Sequence, residues 1–158
     1  MKILTAFIGF LLGLIVFMPK DNIYFKIQEI LSKQNIYINS DIKNSLSLEL
    51  KNGTVFVKKM DIAYFDKCEI YPYIFWNKIE CKNINIANQY KIKEIKTSYS
   101  LINPLKINIS GNSNFGKIEG EINIFDKKGK IYITKLTNSL IKKYLKKDKK
   151  GYFYDVKF

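Results

Sequence analysis

The chain opens with an uninterrupted apolar run and then changes to short alternating patterns. Residues 3–19 contain no charged side chain and lie between Lys2 and Lys20. A helix rises ~1.5 Å per residue, so this run crosses a ~30 Å hydrocarbon layer at the short end of the usual range. We therefore predict an uncleaved transmembrane signal anchor over residues 1–20. A cleavable signal peptide is the alternative, but the small residues that precede a cleavage site are missing.

The charges that flank this anchor favour one orientation in the membrane by their number and the opposite one by their layout. Lys20, Lys26 and Lys33 follow the run, and by the positive-inside rule they favour a cytoplasmic C-terminal part. A short charged start before an apolar run is, however, the layout of an export signal, and long domains translocate largely regardless of charge. We predict a single-pass protein of the bacterial inner membrane whose C-terminal domain lies in the periplasm.

Small residues recur at helical spacing within the anchor. Gly9 and Gly13 form a G-x-x-x-G step, and Ala6 lies one turn earlier on nearly the same face. This spacing lets two membrane helices approach closely, which predicts helix pairing and a homo-oligomer. Glycine is also common in membrane helices, so the step has an unremarkable explanation as well.

After the anchor, the apolar residues first follow a helical period. Ile23, Ile27, Ile30 and Leu31 form one stripe, which predicts a juxtamembrane amphipathic helix over residues 21–34. This helix can lie on lipid headgroups or cover a sheet. We expect it to cover a sheet, because the chain that follows is rich in strands that need a cover.

From Asn35 onward the period changes to two, which predicts strands. Asn52-Gly53 lies between alternating runs and predicts one hairpin turn, and residues 126–129 predict another. The alternation of apolar and polar residues slips by one residue near residues 58–59, 82–83 and 93–94. We expect a β-bulge at each slip, which keeps the apolar side chains on one face. The predicted runs are Ile36-Ile38, Leu46–Leu50, Val55-Val57, Met60–Tyr64, Ile79-Cys81, Ile84-Ile86, Ile95–Tyr99, Leu105–Ile109, Ile118–Ile124 and Ile131-Ile133.

The C-terminal region returns to helical spacing and then alternates again. Residues 136–147 predict a second amphipathic helix, and residues 146–151 a charged linker. Tyr152, Tyr154, Val156 and Phe158 alternate with polar residues, which predicts a final strand. We expect this strand to offer a free edge to a partner.

These elements predict a mainly β (α+β) fold. We expect a curved antiparallel sheet of about eight or more strands, with two short amphipathic helices and one preceding transmembrane helix. The predicted domains are the signal anchor 1–20, the juxtamembrane helix 21–34 and a periplasmic β-rich domain over 35–158. The predicted strands have more apolar surface than two short helices can cover, so a partner, a lipid or the curl of the sheet must bury the rest.

Composition narrows the possible partners. The net charge is +13, which commonly indicates nucleic acid or an anionic membrane. All 27 basic residues are Lys, and Arg is the preferred side chain for bidentate contacts to phosphate and guanine. Nucleic acid is therefore an improbable partner, and the expected partners are the membrane, other proteins of an envelope complex and lipid.

The sequence offers no recognisable catalytic constellation. It has no His, which excludes catalysis and metal binding by imidazole. Phosphate-binding and nucleophile-elbow motifs are also missing, and the carboxylates are scattered singly among lysines. We expect no catalytic residues, no cofactor and no metal.

Two cysteines remain, and their spacing suggests a pairing. If a turn over residues 71–77 joins antiparallel strands, its midpoint between Ile74 and Phe75 places Cys68 opposite Cys81. In an oxidising compartment these thiols can form a disulfide; elsewhere they are small buried apolar residues.

The residues around this turn resemble a known family. A strand, the Pro-led aromatic turn Tyr71-Pro72-Tyr73-Ile74-Phe75-Trp76 and a second strand over residues 78–86 resemble the repeating unit of the type II secretion system protein N family and its AsmA-like relatives. The order of anchor, Pro19, helix, strand pair and late helix is also similar, although the chain is shorter than typical members. The resemblance implies a single-pass inner-membrane protein with a periplasmic β-rich domain that serves an envelope machine.

Two functions follow as expectations. The first is a non-catalytic scaffold or accessory subunit of a secretion, DNA-uptake or flagellar-motor assembly. The second is an AsmA-like module that binds or transfers lipid or another hydrophobic ligand on the concave sheet. An open apolar groove would favour the second function, and closure by residues 23–31 or by a neighbouring protein would favour the first.

Overall fold

The computed structural model describes residues 6, 9, 10, 13, 19–73, 75–137 and 139–157. Within them, ten antiparallel strands form one open sheet in the order β1 to β8, then β10, then β9. The helices whose bounds lie within the described residues are α1 (Lys20–Ser32) and α2 (Ser139–Lys142). The strands are β1 (Ile36–Asn44), β2 (Leu48–Val57), β3 (Met60–Pro72), β4 (Trp76–Ile86), β5 (Tyr90–Ser100), β6 (Asn103–Ser113), β7 (Gly116–Asn123), β8 (Lys128–Thr134), β9 (Lys146–Asp148) and β10 (Gly151–Lys157). The predicted mainly β, antiparallel fold is confirmed.

The N-terminal apolar run lies largely outside the described residues. Its described members, Ala6, Gly9, Phe10 and Gly13, have a helical backbone. Across the described residues, we find no helix that combines the length and the apolar character needed to cross a bilayer. The amphipathic helix predicted over residues 21–34 is present as α1, and Asn35, with a φ of 57°, turns the chain from this helix into β1.

A crease crosses strands β2 to β5 at one level. In a regular strand, residues three apart face opposite sides of the sheet. Across the crease, however, core-facing residues are three apart in four successive strands. These pairs are Leu50 and Gly53, Phe65 and Cys68, Cys81 and Ile84, and Ile92 and Ile95. Because all four strands change phase together, the apolar side chains stay on one face.

Positive backbone angles and two register shifts form this crease. Asn52 and Asn83 have φ angles of 49° and 52° inside their strands, while the β2–β3 and β3–β4 pairings keep the same register on either side of them. The register shifts at the two ends of the crease, between Asn39 and Asp41 in β1 and at Lys93 in β5. The slip predicted near residues 93–94 is therefore a register shift, as expected. At Asn83 the alternation of core-facing side chains changes without a register shift.

The prediction of a hairpin turn at Asn52-Gly53 is wrong. Both residues lie inside β2, and the flanking turns are at residues 45–47 and at Lys58-Lys59. Asn52 takes positive φ at the crease rather than in a turn. A Cβ atom on Gly53 would lie 1.9 Å from Cζ of Phe65, so this glycine makes room for a buried ring.

Two of the other predicted connections have different outcomes. Lys58 and Lys59 have φ angles of 50° and 69° and form the β2–β3 turn, and the bulge predicted near them is a register shift between Val55 and Phe56. Two successive positive φ values are the signature of a type I′ hairpin turn. The hairpin predicted at residues 126–129 is confirmed, although the turn occupies residues 124–127 and β8 already begins at Lys128.

The C-terminal helix and linker are predicted incorrectly. The helix α2 covers only Ser139–Lys142, and β9 occupies part of the supposed linker. Lys146 bonds Asp155 through Nζ and Oδ2 at 2.6 Å, and the Tyr132 hydroxyl donates to Asp148 at 3.0 Å. These contacts with neighbouring strands outweigh the weak tendency of a short segment to continue as a helix.

We predict that Gly53→Ala destabilises the full chain by about 1–3 kcal/mol, because the added methyl group displaces the Phe65 ring in a packed core. Thermal unfolding in detergent measures the loss. Combining Gly53→Ala with Phe65→Leu should destabilise by less than the sum of the two single changes, since the smaller side chain leaves room for the methyl group. Additive losses would contradict this contact.

Candidate functional site

Helix α1 covers the apolar face of the first four strands. Tyr24 is 8% exposed, and Ile23 and Ile27 pack on the same cluster. The strand residues that complete this first core are Leu48, Leu50, Phe65, Cys68 and Ile70, with Ile38, Val55, Cys81 and Ile84 at its margin. The helix therefore covers the centre of this half of the face, while Ile42 of β1, opposite Leu50, stays 38% exposed.

The C-terminal segment covers part of the apolar face of the later strands. Leu136, Ile141 and Leu145 pack against a second core. That core consists of Ile92, Phe115, Ile118 and Ile133, with Ile84, Ile86, Tyr90, Ile95, Ile109 and Ile131 around it. The predicted late helix is thus short, but its apolar residues still serve as a cover.

One strip of the apolar face has no cover among the described residues. The register pairs Ile107 with Ile122, and the amide of Ile124 donates to the carbonyl oxygen of Leu105 at 2.9 Å. Alternation therefore places Leu105 and Ile124 on this face, where they are 49% and 38% exposed. Ile79 of β4 is 41% exposed on the same face.

The two ends of the sheet differ in character. We call the end with the β1–β2, β3–β4, β5–β6 and β7–β8 turns the hydrophobic end, because its turns carry exposed Leu46, Phe75, Leu101, Ile102 and Phe125. We call the opposite end the polar end. Its turns carry exposed Lys58, Lys59, Asn88, Gln89 and Asn114, with exposed Met60 beside the first of them, while Phe115 turns inward and is buried.

Helix α1 caps one position on an outer edge of the sheet, the backbone of Ile38 in β1. The Tyr24 hydroxyl donates to the Ile38 carbonyl oxygen at 2.8 Å. The Ile38 amide donates to Oε1 of Gln28 at 3.1 Å, and Nε2 of Gln28 donates back to the same carbonyl. The Gln28 amide thus replaces a neighbouring strand at this position of β1, which protects the edge from another chain.

The opposite face of the sheet is a ladder of ion pairs. Lys67 contacts Glu49 at 2.7 Å and Glu69 at 3.2 Å, and Lys96 contacts Glu94 at 2.9 Å and Glu80 at 3.5 Å. Hydrogen bonding to Lys67 holds the pKa of Glu49 below its ordinary value, and the bond to Glu49 raises the pKa of Lys67. Paired charges of this kind make a solvated structural face.

A depression of about 670 Å³ on this polar face is lined by β7, β8 and β10. Three of its carboxylates form ion pairs: Glu119 with Lys117 at 3.0 Å, Glu121 with Lys106 at 2.8 Å and Asp155 with Lys146 at 2.6 Å. In the part of the chain that the structure describes, no three His, Cys, Asp or Glu side chains are grouped to hold a metal ion. This depression therefore offers ionic contacts.

The residues predicted for the disulfide lie together. Cys68 of β3 pairs directly with Cys81 of β4, their Cα atoms are 4.1 Å apart and their sulfur atoms are bonded. The pairs Cys68–Cys81 and Pro72–Asn77 share the register that a midpoint between Ile74 and Phe75 requires.

The predicted membrane-helix contact is not formed with any described residue. Ideal Cβ positions on Gly9 and Gly13 have no heavy atom within 4 Å, and Ala6 is exposed. Pairing of this segment with a membrane helix of a second chain remains a prediction.

The free final strand predicted from Tyr152, Tyr154, Val156 and Phe158 needs a correction. Strand β10 pairs with β8 over residues 152–157, and β9 covers the other side of residues 151–153. The edge is covered because the chain turns back at residues 149–150 and forms a hairpin. Of the residues described, 154–157 keep an outer side without a strand; Phe158 lies outside the described residues.

Comparisons of this chain with protein-family models, curated proteins and solved structures give no match. The turn residues of the hydrophobic end are the feature that reasoning from the sequence missed. Their signal is a large apolar side chain inside a turn, as in Leu101-Ile102, and it becomes informative only once the strand order places the turns at one end.

We predict that acid destabilises the wild-type chain more than Glu80→Gln. The bond from Lys78 lowers the pKa of Glu80 from 4.5 to about 2. A lowered folded-state pKa stabilises the fold above the ordinary value, and this stabilisation is lost as the pH falls from 4.5 towards 2. Unfolding temperatures across this pH range measure the difference.

The matched control for this experiment is Glu121→Gln, which removes a half-exposed ion pair. Exposed pairs contribute little to stability, so this variant should follow the wild-type pH dependence closely. If the unfolding temperature of Glu80→Gln falls with pH as steeply as that of the wild type, the ion pair of Glu80 does not stabilise the fold.

Proposed function

We propose that this chain is a non-catalytic scaffold subunit of a bacterial cell-envelope machine. In this proposal, the apolar run over residues 3–19 anchors it in the inner membrane with its β-rich domain in the periplasm. The machine is of the secretion, DNA-uptake or flagellar-motor type. The observation that carries the proposal is that the chain's own segments pack on both cores of the apolar face, whereas residues 154–157 at the sheet edge have no partner strand among the described residues.

The cover of α1 over the first core supports a rigid module rather than a carrier. Tyr24 and Gln28 bind the edge of β1 while the helix that bears them packs on the first core. Opening this half of the face would break those hydrogen bonds and expose Leu48 and Leu50, which are 0% and 5% exposed. Exposure of such side chains is unfavourable by about 1.5–3 kcal/mol each.

The unpaired edge supports a protein partner. Residues 154–157 of β10 present backbone groups beyond the end of β9, and the Tyr154 side chain is 54% exposed. An exposed edge can extend the sheet of another protein, and alternating side chains then fill its pockets.

The cysteine pair supports an exported domain, because disulfides persist mainly in oxidising compartments. We predict that Cys68 and Cys81 are bridged in intact cells and react with an alkylating reagent only after reduction. Mass spectrometry of the full chain from acid-quenched cells measures this. In Cys68→Ser, the thiol of Cys81 should react without reduction; if both wild-type thiols react directly, the periplasmic location is contradicted.

We predict that Tyr154→Lys lowers recovery of the partner by about tenfold, equivalent to about 1.4 kcal/mol, because Lys on an edge disfavours pairing with another strand. The measurement is affinity purification of the full chain from detergent-solubilised membranes, with quantification of co-purified proteins. The matched control is Tyr64→Lys, which changes an exposed aromatic side chain (41%) on β3, where the backbone is paired with a strand on either side.

The alternative function is binding of lipid or another hydrophobic ligand. It is favoured by the uncovered strip with Ile79, Leu105 and Ile124, which leaves apolar surface open beside the second core. Phospholipid content is therefore measured in the same purified samples. Unchanged protein partners in Tyr154→Lys, together with stoichiometric bound phospholipid in the wild type, would favour the alternative.

A further inference from the structure

The distribution of apolar side chains between the ends of the sheet points to a second membrane contact. At the hydrophobic end, Ile102 is 92% exposed, Phe125 80%, Leu46 62%, Phe75 60% and Leu101 48%. These side chains come from every second turn of a sheet whose first eight strands follow chain order, so they form a row across one end of the sheet. Water-exposed apolar groups of this extent on one side of a domain indicate an interaction surface.

The position of α1 indicates what that surface contacts. Nδ2 of Asn44 donates to Oδ1 of Asp21, so the helix begins beside the end of β1 that leads into the turn with Leu46. The chain before Pro19 is the apolar run that we propose as the membrane anchor. The anchor therefore joins the domain at the hydrophobic end, and the row of apolar turns lies on the same side as the bilayer.

Aromatic and basic residues at this end fit a bilayer surface. The rings of Tyr73 and Trp76 stack with their centroids 6.1 Å apart, and Trp76 is 43% exposed. Tyr and Trp are enriched at the boundary between lipid headgroups and acyl chains. Exposed Lys127 and Lys128 can contact anionic headgroups. Asp126, between Phe125 and these lysines, offsets part of their charge.

We propose that the hydrophobic end lies on the inner membrane, with its turns inserted into the interface of the lipid bilayer. Inserted side chains of this kind reach about 5–10 Å into the boundary between headgroups and acyl chains. The inference rests on the proposed membrane anchor and goes beyond it, because it assigns to the folded domain a lipid contact and an orientation. The sheet then stands with its polar end away from the membrane.

Trp76 provides a direct probe, because the chain contains one Trp and it lies at this end. The full chain is reconstituted into vesicles of phosphatidylethanolamine and phosphatidylglycerol, with or without bromine on the acyl chains. We expect brominated lipid to quench the emission of Trp76 and ordinary lipid to shift it to shorter wavelength. Emission that is unchanged by bromine in vesicle-bound protein overturns the inference.

Two sets of variants test which residues insert. Ile102→Lys combined with Phe125→Lys should lower quenching by about twofold or more, because charge is disfavoured at that depth. The matched control is Met60→Lys, whose side chain is 60% exposed beside a turn of the polar end, and it should leave quenching unchanged. Equal quenching in all three proteins overturns the assignment of the turns, and circular dichroism checks that each variant is folded.

Vesicle flotation separates this inference from the proposed function. A chain that does not float with vesicles lacks the anchor, and both proposals then fail. A chain that floats without quenching of Trp76 keeps the anchor and loses the contact of the hydrophobic end. Binding of that end to another protein instead of lipid would give this second result in vesicles that contain the chain alone.

Discussion

A sheet that buries only one face must keep its apolar residues on that face in every strand. In this chain the spacing changes by one residue within β2, β3, β4 and β5, which in regular strands would turn half of the core outward. The crease resolves this conflict because all four strands change phase at one level. Phe65 and Ile84 can then pack on the same side as Cys68 and Cys81, and both cores depend on that arrangement.

The polar side of the crease shows how the sheet tolerates it. Nδ2 of Asn83 donates to Oδ2 of Asp66 at 2.8 Å, and Nδ2 of Asn52 donates to Oδ2 of Asp41 at 3.2 Å. Asn enters the left-handed region more readily than most residues. Each positive φ at the crease therefore occurs at a residue whose side chain also bonds across to the neighbouring strand.

Much of the fold could be predicted from the sequence, because alternation and helical spacing report directly on burial. The strands, helix α1 and the pairing of Cys68 with Cys81 follow from such patterns. The Asn52-Gly53 pair could not be assigned, because a type I′ turn and a crease make the same demand for positive φ. What distinguishes the crease from a turn is the ring of Phe65, which packs against Gly53 from the next strand and lies 12 residues further along the chain.

The C-terminal region and the hydrophobic end were harder to predict because both depend on how strands are arranged beside one another, which the pattern within one segment does not show. Residues 146–148 pair with β10 through contacts that helical spacing does not reveal. Leu101-Ile102 and Phe125 continue the apolar character of the strands beside them, so the sequence does not mark them as turns. Their shared position at one end is a property of the strand order, and a prediction of each strand separately does not contain it.

The attachment of α1 to β1 connects the fold to the proposed function. Asp21 bonds Asn44 near one end of β1, and Tyr24 and Gln28 bond Ile38 further along the same strand. These contacts fix the direction of the helix relative to the strands, and the Asn22 amide donates to the Pro19 carbonyl at 3.1 Å, so the helical turn begins directly after the apolar run. If the apolar run is the proposed anchor, its movement would therefore be transmitted to the sheet. Such a connection suits a scaffold held in a fixed orientation, whereas a lipid carrier that opened over the first core would have to detach α1 from both places.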